Sequence, residues 1–335
     1  MRLAFIMAAA LFGISAVASP ANAQDCTEAA LAKKPGIVKA SGAWGSSKKN
    51  VSPADLARET TVVGNIHKMI AASYAPVGVV GSYGNNFDGG NDAPGKNKVA
   101  DIFGYTMYLL KYLCDKNSPD KSKFYVNVAS PTSLKINANL INEYGLYATD
   151  ISDNTFRGYL LMKHRPQKIN GFYFLGDEFS GDSRTKQKYY TWLITYDDAL
   201  PFSYVSRKEY LQLSKIRLQK TIQENGNGSG YYTEFVKRID DTLKRPDSEL
   251  SQPAIVKRND EEQFTGFVEE NSPGSYFLVR HNPAYYRKGL PKSAAQFFTV
   301  VFSVLEGEPN TVYVDNINAI KKVVNFNFLR NMLGK

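Results

Sequence analysis

Cys26 and Cys114 are the only cysteines in the chain of 335 residues, and they constrain its fold more than any other feature. The residues before the first of them read "MRLAFIMAAALFGISAVASPANAQD". A positive Arg2 is followed by an apolar run from Leu3 to Ala18, and the small residues Ala21 and Ala23 precede Gln24. That is the layout of a secretory leader, residues 1–23, cleaved before Gln24. The apolar run is too short and wrongly flanked for a transmembrane anchor. Ala23-Gln24-Asp25 is a poor match to the residues that precede a lipidated cysteine. The expected location is therefore the periplasm or the cell exterior, where an even cysteine count implies a disulfide. Only one pairing exists. It would tie the new N-terminus to a position 88 residues later, and would stabilise the fold by about 4 kcal/mol in chain-entropy terms. Without a CxxC pair, a zinc ribbon and a thioredoxin-type site are excluded.

The length suits two domains or one large one. The composition, 43% hydrophobic and 22% charged, is that of a folded protein, and 21 Tyr with 19 Phe favour sheet. The net charge of +9 fits an anionic envelope polymer or lipid surface as partner. Nucleic acid conflicts with the leader. The densest basic run, "KIRLQK" at 215–220, lies on a helical pattern and reads as a solvated face.

Residues 24–50, rich in Lys, Gly and Ser, read as a mobile arm. Ser52 as N-cap and Pro53 in the first turn then open a helix whose apolar stripe runs to Tyr74. The Gly- and Asn-rich residues 78–104 read as a loop or irregular strand. "FGYTMYLLKYLCD" and "KFYVNVASPTSLKINANL" follow as strands around the turn "DKNSPDKS". Two further strands, "FRGYLLMKH" and "NGFYFLGDEF", flank the turn "RPQKI", "KQKYYTWLITY" follows as a third, and a helical pair is expected over 206–245. "PDSELSQP" reads as a linker; "EQFTGFVEE", "GSYFLVRHN" and "QFFTVVFSVLEG" read as strands, and the tail as a short strand and a helix. The element order gives an α+β fold of antiparallel sheets with packed helices. It suggests two parts, 51–152 and 153–335, each like the curved sheet around a helix of cystatins or nuclear transport factor 2.

Candidate chemistry is sparse. Asp197 and Asp198 sit between a strand and a helix capped by Ser206, with Glu209 completing a capping box; turn chemistry explains both acids. Asp177, Glu178 and Asp182 cluster at a strand end, where paired carboxylates can do acid–base work on a glycosidic bond. Arg280 and His281 precede two tyrosines and could steady charge. His67 and His164 are isolated. "GGNDAPGKN" has phosphate-loop spacing, but Asn97 stands where Ser or Thr must hold magnesium. Asp88, Asn91 and Asp92 lack calcium-loop spacing. No serine-elbow or zinc-helix motif occurs, and no cofactor or metal is expected.

"WLITYDDALPFSYVSRKEYLQL" and "HNPAYYRKGLPKSAAQFFTVVF" resemble segments of a family of secreted bacterial envelope proteins, W-x-I-T…L-P-F…S-R-K-E-Y-L and N-P-x-Y-Y…L-P-K-S-x-x-Q-F. The resemblance implies a shared fold and carries no activity or catalytic residue. The expected function is non-catalytic binding of an anionic envelope polymer or another envelope protein. The alternative is a hydrolase of such a polymer using Asp177, Glu178 or Asp197, with Arg280 or His281.

Overall fold

The structure, a computed structural model, describes residues 25–41, 47–89, 99–129, 132–141, 146–148, 159–180, 187–225, 229–257, 264–305 and 311–335. In chain order the elements are α1 (Glu28–Ala32), β1 (Val38–Ala40), β2 (Ser47–Lys49), α2 (Pro53–Ala71), β3 (Val79–Asp88), β4 (Ile102–Cys114), β5 (Phe124–Val126), β6 (Ser133–Ala138) and β7 (Leu146–Ala148). There follow β8 (Tyr159–Met162), β9 (Gln167–Ile169), β10 (Phe172–Ser180), β11 (Gln187–Ile194), β12 (Phe202–Tyr204), α3 (Arg207–Asn225), α4 (Ser229–Leu243) and α5 (Asp247–Leu250). The chain ends with β13 (Ile255–Lys257), β14 (Ser275–His281), β15 (Phe298–Leu305), α6 (Thr311–Val323) and α7 (Phe326–Asn331).

The fold is α+β, with sheets that are antiparallel except at one edge. The larger sheet has ten strands in the order β1-β3-β4-β6-β15-β11-β10-β9, with β2 beside β1 on β3 and β5 on the tip of β4. Among the described residues only β1 and β2 pair in parallel, both with β3. The smaller sheet has five strands, β12-β14-β8-β7 with β13 also on β14.

Strand alternation sorts the side chains into layers. Phe103, Tyr105 and Met107 of β4, Leu134 and Ile136 of β6, and Phe298, Val300 and Phe302 of β15 share one face of the large sheet. They bury against Val63, Ile66 and Ile70 of α2 and Ile317 and Ile320 of α6. From its other face Leu175 and Leu193 meet Leu160, Met162, Phe277 and Val279 of the small sheet. The intervening residues Leu161, Tyr276 and Leu278 turn outward, against Tyr210, Leu211 and Leu218 of α3 and Ile239 of α4. The order is helix, sheet, sheet, helix. Strands buried on both faces must be apolar at every position, hence the unbroken runs "YLLM" and "YFLV".

Several expectations change. Residues 25–41 and 47–50 do not form a mobile arm: Cys26 is bonded to Cys114, Thr27 caps α1, and β1 and β2 pair with β3. Gly36 belongs to this packing, since a Cβ there would lie 1.9 Å from the Val79 carbonyl oxygen. The Gly- and Asn-rich segment contains the ten-residue strand β3, held by its full pairing with β4. Residues 167–169, expected as turn, pair with β10, and the 247–250 linker is helical. Residues 264–269 are irregular instead of a strand. Residues 311–323 are a helix because Val312, Tyr313, Asn316, Ile317 and Ile320 fall on one buried helical face. The large sheet also crosses the expected 152/153 boundary, since β15 lies between β6 and β11.

Candidate anion-binding groove

The acids singled out from sequence are held by separate partners. Asp177 on β10 lies 2.8 Å from the Lys188 ammonium, which holds its carboxyl below the usual range. The side chain of Glu178, and Asp182 altogether, lie outside the described residues, as does the 90–98 part of the glycine-rich loop with Asn91 and Asp92. Asp197 closes its own turn: its Oδ1 accepts from the Ala199 amide at 2.8 Å, and its carbonyl accepts from Thr195 Oγ1 at 2.6 Å. Asp198 pairs with Lys168. Arg280 and His281 belong to the smaller sheet. Arg280 Nε is 3.3 Å from Glu209, and His281 Nδ1 is 3.3 Å from the Tyr286 hydroxyl. Asp177 lies opposite Tyr190 in mid-strand, whereas Asp197 lies beyond the end of β11. His67 stacks on Tyr83 at 4.1 Å, and burial lowers its pKa. Burial also lowers the pKa of His164, whose ring covers Gly176.

The family-like segments build a seam. Gln296 accepts from the Tyr196 hydroxyl (3.2 Å) and the Arg287 amide (3.3 Å), and its own amide donates to Asn139 Oδ1 at 2.7 Å. Asn139 Nδ2 donates to the carbonyls of Asp101 (2.8 Å) and Ala294 (3.0 Å). Ser293 Oγ donates to Asp55 Oδ1 at 2.8 Å, and the Asp101 amide donates to the Lys292 carbonyl at 2.8 Å. L-P-K-S-x-x-Q thus joins the start of α2, the start of β4 and the end of β6.

Beside this seam lies a feature that the sequence did not show. Glu59 is fully buried, Asp101 is 4% exposed, and neither Glu59 oxygen has a hydrogen-bond donor among the described residues. Both carboxyls are acceptors when ionised, so a proton on Glu59 would let it donate to Asp101. Burial, then the negative charges of Asp101 and Asp55, push Glu59 up to about 8. Burial and Asp55 also raise Asp101. Among the described residues no group of three His, Cys, Asp or Glu side chains is placed to hold a metal.

The S-R-K-E-Y-L segment builds the opposite situation. Ser206 Oγ accepts from the Glu209 amide at 3.1 Å and caps α3. Glu209 does not close the box with its side chain; it accepts from the Tyr159 hydroxyl at 3.0 Å. Lys208 pairs with Asp247 at 3.0 Å, and Tyr210 enters the core. Arg207 instead points across the start of the helix. Its guanidinium lies 5.0 Å from the Phe267 ring centre, and its Nη1 lies 3.5 Å from Glu249. Its Nε is buried without an acceptor among the described residues. Arg245 holds the same Glu249 oxygen at 2.7 Å.

These groups open onto a cavity of about 340 Å³ whose cations are Arg207, Arg238 and Arg245, whose acids are Glu249 and Glu269, and whose apolar wall is Phe264 and Phe267. A second cavity of about 430 Å³ shares Arg238, Thr242 and Arg245 and continues along α4 past Lys237. Its acids are tied at the rim: Glu234 lies 3.6 Å from Arg238, and Asp241 lies 2.7 Å from Lys244. The result is one elongated groove with guanidiniums along its length. Planar guanidinium forks match carboxylate and phosphate geometry. The remaining acids and Thr242 suit hydroxyl donors. Arg207 in S-R-K-E was the sequence signal for this groove, hidden because its other walls come from residues 234–269.

No protein-family model, curated protein or solved structure matches this chain.

Proposed function

We propose that this chain is an exported, non-catalytic binding protein of the bacterial envelope, and that the groove along α3, α4 and α5 holds an anionic envelope polymer. The carrying observation is the continuity of the two cavities through Arg238, Thr242 and Arg245. A groove continued in this way accommodates a chain better than a single small molecule. Arg207 and Arg245 both hold the one Glu249 carboxylate, so a ligand carboxylate or phosphate would meet two guanidiniums that share a single acid. Export is supported by the leader-like residues 1–23 and by the Cys26–Cys114 disulfide. No described helix is long and apolar enough to cross a membrane. The hydrolase alternative draws on Asp177 and Asp197, and each already serves a local partner.

The test is a titration of the oxidised protein with an acidic polysaccharide and with a neutral one of matched length, over a series of salt concentrations. Binding to the acidic chain alone, weakening as salt rises, is expected. Equal binding to both polymers, an affinity indifferent to salt, or no binding would refute the reading.

A further inference from the structure

A second surface, built by α1, β4 and β5, shares no residue with the groove and has a different character. Where β4 outruns its neighbours its tip is paired only with β5, and this corner is closed by the Cys26–Cys114 disulfide. The turn leading into β5 is tightly built. The Cys26 amide donates to the Lys121 carbonyl (2.8 Å) and the Asp115 amide to the Lys123 carbonyl (2.9 Å). Asp120 Oδ1 accepts from the Ser122 amide at 3.0 Å and from its hydroxyl at 2.7 Å. On this rigid corner three large apolar side chains face solvent: Phe124 is 43% exposed, Tyr125 51% and Val128 75%.

Lysines surround them. Lys34 sits 4.7 Å from the Phe124 ring centre, and Lys33, Lys116, Lys121 and Lys123 are exposed without an ion-pair partner among the described residues. Of the four acids at the corner, Glu28 faces Lys111 at 3.8 Å, Asp115 Oδ1 accepts from the Asn117 amide, Asp120 is held in its turn and Asp25 is exposed, against six lysines at 33, 34, 111, 116, 121 and 123.

We infer that this corner docks edge-on on an anionic lipid bilayer, with Phe124 and Tyr125, on opposite faces of β5, and Val128 reaching the headgroup region and the lysines resting on lipid phosphates. Two features favour a bilayer over a protein partner. The apolar tip is a few side chains wide, whereas a stable protein interface needs roughly 20–30 residues a side. Exposed aromatic side chains set among lysines, by contrast, combine the two attractions that hold peripheral proteins at anionic membranes. The interaction is independent of the α3–α5 groove.

Cosedimentation with phosphatidylcholine vesicles, and with the same vesicles containing phosphatidylglycerol, tests this. The full oxidised chain should partition to the mixed vesicles and little to the neutral ones. The double variant Lys121→Glu/Lys123→Glu should weaken that binding by about tenfold or more, since each lysine near the surface contributes about a kcal/mol. Phe124→Ser/Val128→Ser should weaken it even at low salt. Lys33→Glu/Lys116→Glu, which leaves β5 untouched, provides a second charge test if β5 variants misfold. Arg207→Gln should leave vesicle binding unchanged, which separates this inference from the groove. Equal partitioning to both vesicle types, no partitioning, or wild-type behaviour in both charge-reversal variants would overturn it.

Discussion

Under α2, Glu59 and Asp101 are two buried carboxyls with too few cations; in the α3–α5 groove, Arg207 and Arg245 share one carboxylate, Glu249. The two regions pose opposite local problems, two facing acids and two guanidiniums on one acid, and can resolve them differently. A carboxyl can take up a proton at moderate pH, so the acid pair is completed within the fold. A guanidinium cannot shed its charge, because its pKa lies too high. Two guanidiniums on one carboxylate can be matched by an acid from elsewhere. This is why the buried pair is read as a structural device and the groove as a binding site, although the pair has the more perturbed chemistry.

The comparison breaks most visibly with pH. Glu59 holds a proton in the fold up to about pH 8 but releases it near 4.5 when unfolded. Between those values the native state binds more protons, so stability must fall as pH rises, by up to about 1.4 kcal/mol per pH unit. Glu59→Gln supplies a permanent donor to Asp101. Its denaturant midpoint should be nearly flat where the wild type declines, with the widest gap near pH 8. Parallel curves would show that Glu59 is not the proton carrier.

Next comes the seam that positions Asp101. Asn139→Ala removes three buried hydrogen bonds, and a loss of about 2–4 kcal/mol is expected in urea unfolding. A loss below 1 kcal/mol would mean that the L-P-K-S-x-x-Q segment is held by packing alone. At the groove, the periphery should tolerate change. Lys208→Ala breaks an exposed pair with Asp247 and should cost no more than about 0.5 kcal/mol. A larger thermal shift would give α5 a structural role beyond framing the cavity.

Local chemistry was readable from the sequence; long-range burial was not. Ser52-Pro53 announced α2, Ser206 announced α3, and the run "FGYTMYLLKYLCD" announced β4. The two cysteines predicted their own pairing, with Cα atoms 5.7 Å apart. β3 was obscured because its Gly and Asn residues lack strand preference, and ten pairings with β4 override that lack. "TVYV" at 311–314 suggested a strand through its β-branched residues, yet a buried face at helical spacing decided for α6. Glu59 carries no local mark of burial in the sequence; its neighbour Asp101 is 42 residues away along the chain. The groove likewise needs Arg207, Arg245 and Phe267 together, and no local pattern announces that meeting.

The most direct test of the groove is the affinity for an acidic polysaccharide of two opposed variants, Arg207→Gln and Glu249→Gln, measured at one moderate salt concentration with folding checked by thermal melts. The account predicts that Arg207→Gln weakens binding about tenfold, the loss of one charge-assisted hydrogen-bonding group. Glu249→Gln removes the resident competitor for Arg207 and Arg245, and should strengthen binding. If both folded variants bind like the wild type, or both shift in the same direction, the groove is not the binding site.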